Sequence, residues 1–412
     1  VNKHIVISPK ARPSATLLKT ILPVIAAIAF ISVLLMFLLP SNQQPTDDNI
    51  KTFNSVSELK DFLKENTVSG GRYGGFLDSV TGIMKAGANA PASAESAGAA
   101  DYSTTNIQVE GVDEADIIKN DGKYIYTVSG NKVVIVNAYP AENMKILSEI
   151  DFKQGITEIF VNDNKLIAFS QEYSPVLYET SRCMAIGCVI PESESTTNIY
   201  IYDISDRENP ELEDTITASG NYFGSRMIGD YVYVVANQYI YDQEVLPALK
   251  TNNQIDVVKA NEIYYSDIKD TGFQYTNILA INIGNGKVSE KTVLTGNTND
   301  IYVSTNNIYT ISYKYPMWYG FREENGDGKE ETIIHKISID KDNIDFVATG
   351  KVPGHILNQF SMDEYKDNFR IATTIGEVWN TEEKSTNNLY VLNEDMETIG
   401  KLEGLAPGEK IY

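Results

Sequence analysis

Four carboxylates fall within seven residues at Glu110, Asp113, Glu114 and Asp116, and Asn120 and Asp121 follow. A calcium ion takes about six to eight oxygens from a bent loop. This run could supply several of them, and calcium is the one cofactor the residue types suggest. The competing reading is the solvated edge of a first strand, with Val109, Val112 and Ile117 turned inward. A second acidic stretch, ENGDGKEE from Glu324, fits calcium less well, because Lys329 stands where a ligand is wanted. Cys183 and Cys188 are the only cysteines and lie close together in SRCMAIGC. Outside the cytoplasm such a pair is expected to form a disulfide closing a small loop. A metal or redox site would want C-x-x-C spacing or a nearby histidine. The histidines are His4, His335 in TIIHKISI and His355 after Pro353-Gly354. A Ser-His-Asp assembly is defined by geometry and not by order. No G-x-S-x-G elbow is present, so no catalytic residue is assigned. Among the 25 tyrosines, most alternate within strands. Tyr313, Tyr315, Trp318 and Tyr319 cluster instead in SYKYPMWYGF, where aromatic side chains suit a recognition surface for protein or carbohydrate, or simple loop packing.

The elements that would position these residues are short strands. After residue 106, β-branched and aromatic residues alternate in brief runs separated by Gly, Asn and Asp turns, the pattern of an all-β domain. One kind of strand recurs as KYIYTV, KLIAFS, DYVYVV, NIYTIS and FRIATT, and a second kind as KVVIVNA, NIYIYDIS, NILAINIG, TIIHKISI and NLYVLN. Their spacing is loose, because a four-stranded blade needs about 40 to 50 residues. The surplus sits in insertions at residues 172–197, 238–276 and 313–331. This rhythm predicts a β-propeller over residues 106–412, with a β-sandwich as the alternative.

Upstream, residues 21–39 carry no charge, and at about 1.5 Å per residue they are long enough to cross a hydrocarbon core of about 30 Å. Lys3, Lys10, Arg12 and Lys19 precede them, while Asp47 and Asp48 follow. The positive-inside rule then puts residues 1–20 in the cytoplasm and the remainder outside as a single-pass membrane protein. A cleaved signal would make the protein secreted instead. Between the membrane and the propeller, residues 40–105 hold a short amphipathic helix and an Ala/Gly/Ser-rich linker. In the helix, Val56, Leu59, Phe62 and Leu63 share one face, with Asn54 or Ser55 as N-cap. The net charge of −22 and the absence of a basic cluster beyond residue 39 exclude nucleic acid as a partner.

Residues 105–138, TNIQVEGVDEADIIKNDGKYIYTVSGNKVVIVNA, resemble the opening signature of secreted or membrane-anchored prokaryotic proteins with a C-terminal β-propeller domain distantly related to WD40 repeats, VEGVDEADI being the specific part. The resemblance implies the fold and a location outside the membrane, and it implies no established activity. In that family the domain continues beyond the equivalent of EGLAPGEKIY. The chain is therefore expected to hold an incomplete propeller, with about four blades and the opening strands of another in NLYVLNEDMETIGKLEGL. Closure of the sheet by residues 107–118 pairing with the last blade is the alternative. The functional expectation is an anchored binding module for an extracytoplasmic protein or glycan. A structural envelope component stands behind it, and an extracytoplasmic hydrolase further behind.

Overall fold

The computed structural model describes residues 50–66, 107–175, 193–240, 246–252, 254–266, 273–314, 330–376 and 384–411. Strand β1 (Ile50–Thr52), helix α1 (Val56–Asn66) and the two-residue β2 (Asp113–Glu114) come first. Five blades follow. Blade 1 contains β3 (Ile118–Asn120), β4 (Tyr124–Ser129), β5 (Lys132–Asn137) and β6 (Lys145–Asp151). Blade 2 contains β7 (Ile156–Asn162), β8 (Lys165–Pro175), β9 (Ser193–Asp203) and β10 (Glu211–Ser219). Blade 3 opens with β11 (Asn221–Ile228) and β12 (Tyr231–Tyr239). A long connection carrying β13 (Ala248–Thr251), β14 (Gln254–Val257) and β15 (Ile263–Ser266) leads to its last two strands, β16 (Gln274–Asn282) and β17 (Val288–Thr295). Blade 4 contains β18 (Thr298–Val303), β19 (Asn307–Lys314), β20 (Glu331–Asp340) and β21 (Asn343–Pro353). Blade 5 contains β22 (Met362–Tyr365), β23 (Asn368–Ile375), β24 (Thr386–Leu392) and β25 (Thr398–Leu405).

Within each blade consecutive strands pair antiparallel. The blade 2 sheet gains β13 and β14 beyond β10, and the blade 3 sheet gains β15 and β1 on one side and β2 on the other. Successive blades bury one another's faces. Tyr126, Ile135, Ile159 and Leu166 fill the seam of blades 1 and 2, and Phe169, Ile199, Val234 and Leu279 that of blades 2 and 3. Val235, Ile278, Ile308 and Ile337 join blades 3 and 4, and Tyr309, Ile334, Phe369 and Tyr390 join blades 4 and 5. Each such side chain contributes about 1.5–3 kcal/mol by leaving water. This explains the sequence pattern. β12 and β16 lie between two blades and are apolar on both faces, whereas β4 and β24 alternate. On the other faces of blades 1 and 5, Ile118, Ile146 and Leu402 are exposed.

The two recurring strand kinds are the second and third strands of every blade. NLYVLN and the residues after it therefore close blade 5 as β24 and β25, and do not open a further repeat. The expectation of four blades and part of another gives way to five four-stranded units. The sequence frame slipped because first strands such as β3 and β22 are too short to display alternation.

Two glycines show how blades are linked. A Cβ on Gly220 (φ +102°) would lie 2.7 Å from the Asn237 carbonyl carbon, and one on Gly354 (φ +88°) would lie 2.6 Å from the Thr374 carbonyl oxygen. Only glycine fits this conformation and this approach. Each link therefore passes the end of the next blade's second strand, the end from which the second-to-third connection leaves.

The segment before the propeller is packed onto it. β1 pairs with β15, Phe53 stacks on Tyr265 at 4.2 Å, and Leu59 and Leu63 are buried beside Ile263 and Tyr275. Ser55 caps α1, its Oγ accepting from the Glu58 amide at 3.2 Å. Residues 50–66 thus pack on the outer edge of blade 3, with the apolar face of α1 turned to the domain. Residues 21–39 lie outside the described residues. Among the described residues, no helix is long and apolar enough to cross a membrane.

Candidate functional site

The acidic run lies in a strap, residues 107–118, that follows the first-strand edges of the blades. Gln108 Nε2 donates to the Gln359 and Met362 carbonyls at 3.0 and 3.2 Å, at the start of blade 5. Val109 packs against the seams on both sides of blade 4. Asp113 and Glu114 pair with Met227 and Arg226 of β11, and Asp116 forms a bridge with Ile159 of β7. The Ile117 carbonyl accepts from Val128 of β4 at 2.9 Å. All five blades are touched, and the pairing is with inner strands rather than with the last blade's edge.

The carboxylates have partners from their own chain. Lys119, only 5% exposed, donates from Nζ to Asp113 Oδ1 and Oδ2 at 2.8 and 3.0 Å and to the Glu114 carbonyl at 2.5 Å. Glu114 lies 3.4 Å from Arg226, which also donates to Gln359 Oε1 at 2.9 Å. Asp116 Oδ1 accepts from the Ile117 amide at 2.6 Å, and Glu110 is exposed in the Val109–Val112 turn. A buried ammonium or guanidinium without a counter-charge is costly, so Asp113 and Glu114 serve to neutralise Lys119 and Arg226. Among the described residues, no three His, Cys, Asp or Glu side chains are grouped to hold a metal ion. Val112 is buried as expected, but Ile117 points outward. Glu158 belongs to the same region and was not singled out by sequence. It accepts from the Tyr222 hydroxyl at 2.8 Å, and burial raises its pKa.

The insertions share one position. In blades 2, 3 and 4 the surplus residues lie between the second and third strands, β8 to β9, β12 to β16 and β19 to β20. By topology, the three leave from the same end of their blades, beside the blade links. Tyr313, at the end of β19, packs into the seam of blades 4 and 5, with its hydroxyl 3.5 Å from the Ile356 carbonyl. It is an anchor for the insertion more than part of its surface. Tyr315, Trp318 and Tyr319 lie outside the described residues, as do Cys183 and Cys188 with their expected disulfide.

His335 is 4% exposed, and its Nδ1 shares a hydrogen bond with Thr349 Oγ1 at 3.1 Å. Nε2 has no hydrogen-bond partner among the described residues, and burial pushes the imidazole down to about 4, so it is neutral. His355 Nδ1 lies 2.7 Å from Glu330 Oε1 at the link into blade 5. Both histidines are explained by their places in the sheet.

Among known proteins, a chain from Methanocaldococcus jannaschii described as uncharacterized protein MJ1554 is 27% identical over 94% of this chain and 70% of its own length. An uncharacterized protein of Archaeoglobus fulgidus is 24% identical over 94% of this chain and 72% of its own. Two solved structures align at low similarity. A functionally unknown protein from Desulfotomaculum acetoxidans has a TM-score of 0.25 and 11% identity, over 72% of this chain and 87% of that one. The WD40 domain of SCAP from fission yeast has a TM-score of 0.24 and 9% identity, over 70% and 76%. Residues 102–412, which include the strap and all five blades, match the beta propeller domain family, and the chain belongs to that family.

Proposed function

We propose that this protein is an interaction module, a propeller held outside the membrane by residues 21–39 that recognises an extracytoplasmic protein or glycan through its long second-to-third connections. The observation that carries the reading is the common position of those insertions. Chain has been added at one end of three adjacent blades, while the seams that hold the blades together remain apolar. Loops on a rigid scaffold are where binding residues concentrate. The aromatic residues Tyr315, Trp318 and Tyr319 lie in one of these insertions, and such side chains dominate recognition surfaces. The single-pass anchorage rests on the uncharged run and its basic flank.

Affinity capture from solubilised membranes tests the reading. The full chain is expected to retain a partner of a different kind, and a chain with Tyr315→Ser, Trp318→Ser and Tyr319→Ser is expected to lose it. Capture of this protein alone would favour a structural envelope component and overturn the proposal.

A further inference from the structure

The blade 3 insertion also builds a cavity. β15 runs parallel to β17 and meets it at Thr292 and Val293, so among the described residues the stretch before them has no strand on that side. Alongside lies a cavity of about 350 Å³ lined by Asp256, Val258, Asn261, Tyr264 and Glu290, among others. That volume is at the small end of the roughly 300–1,000 Å³ typical of small-molecule sites.

Its charges are unevenly matched. Glu262 is engaged by Lys259, whose amide and Nζ each lie 3.0 Å from it. Lys291 also lines the cavity, and its ammonium lies 3.6 Å from Asp345, 4.5 Å above the Tyr264 ring and 3.5 Å from the Tyr264 hydroxyl. Glu290 forms no ion pair among the described residues, and its Oε1 is buried without a hydrogen-bond partner. Burial first, then the charges of Glu262 and Asp256, push its carboxyl up to about 7. A buried acceptor left unpaired in a negative field calls for a cationic donor. The carboxylates do not converge as metal ligands do. An ammonium group needs only acceptors within reach for its three hydrogens, and Val257 and Val258 line the cavity with apolar surface for an alkyl stem.

We propose that this cavity binds the primary ammonium group of an alkylamine, with Glu290 as its anionic partner. The inference stands apart from the interaction reading, since its test uses small probes and no protein partner. Titration of the full chain at pH 8 with n-pentylamine, followed by NMR or calorimetry, is expected to give saturable binding. Glu290→Gln is expected to weaken it by about tenfold or more, the scale of a hydrogen bond to a charged group. A melting curve checks that the variant is folded. N-pentylacetamide, which keeps the chain without the charge, is expected not to bind. Tighter binding of Nα-acetyl-lysine methylamide than of pentylamine assigns the ammonium to a lysine side chain, and the reverse assigns it to a free amine. Absence of saturable binding, equal binding of the neutral amide, or unchanged affinity in folded Glu290→Gln would each overturn the proposal.

Discussion

Asp113 and Glu114 stand beside Lys119 and Arg226 at one edge of the blade 3 sheet, whereas Glu290, toward the other edge of the same sheet, forms no ion pair among the described residues. In the strap, Asp113 is neutralised by nearby Lys119 and Glu114 by Arg226 from a distant strand, and the result is a fastening. In the cavity, Lys291 is engaged by Asp345 and the Tyr264 ring, and the Glu290 carboxylate keeps an acceptor unpaired among the described residues. Clustered acidic residues in the sequence thus mark the place with the least charge to spare, and an acidic residue inside VSEKTVL marks the place with more.

The largest expected effect comes from breaking the fastening. Lys119→Met should destabilise the protein by about 3 kcal/mol, the low end for a broken buried pair, because the Asp113 carboxylate it leaves unpaired is 30% exposed. Urea unfolding would register this as a lower midpoint at unchanged slope. An unchanged midpoint would mean that the strap does not depend on the pair.

Glu290→Gln should act in the opposite direction. A carboxyl raised from 4.5 to about 7 by folding holds its proton more firmly in the native state. Its contribution is complete below pH 4.5 and is lost as pH rises through 7. The glutamine variant should therefore match the parent near pH 4.5 and exceed it by about 2 kcal/mol at pH 8, the roughly 3 kcal/mol that so large a rise is worth being reduced by the residue's partial exposure. His335, lowered from 6.5 to about 4, moves the parent's stability the other way, since stability is lost as pH falls from 6.5 toward 4. The difference between Glu290→Gln and parent isolates the carboxyl, and a difference that does not vary with pH would contradict it.

The smallest effect is expected at Glu114, whose contact with Arg226 is longer, 3.4 Å against the 2.8 Å of Lys119 and Asp113. Glu114→Gln should cost about 1 kcal/mol, less at high salt, as partly solvated ion pairs do. A loss equal to that of Lys119→Met would erase the distinction between the two pairs.

Much of this architecture can be read in the sequence. The second and third strands are visible because burial on one or both faces selects long runs such as DYVYVV and NILAINIG. First strands are not visible, since β3 and β22 are too short to alternate. The fate of the acidic run is half visible. Lys119 is near Asp113 in sequence, but Arg226 reaches Glu114 only through the pairing of β2 with β11. Nothing local distinguishes Glu290 from a solvated strand residue, because its surroundings are made by β14 and β15, strands that join the sheets from within an insertion.

Early parts of the chain occupy both edges of the blade 3 sheet, Ile50 opposite Ser266 and Asp113 opposite Met227. During synthesis these segments emerge long before their partners. At about 5–20 residues per second, the interval between Ile50 and Ser266 is roughly 10 to 40 s. For that time Phe53, Leu59 and Leu63 have no blade to pack against, and the growing chain carries bare apolar surface at its leading end. Blade 3 can acquire both its edges only after the ribosome has passed Ser266, so residues 50–66 wait for partners made some two hundred residues later.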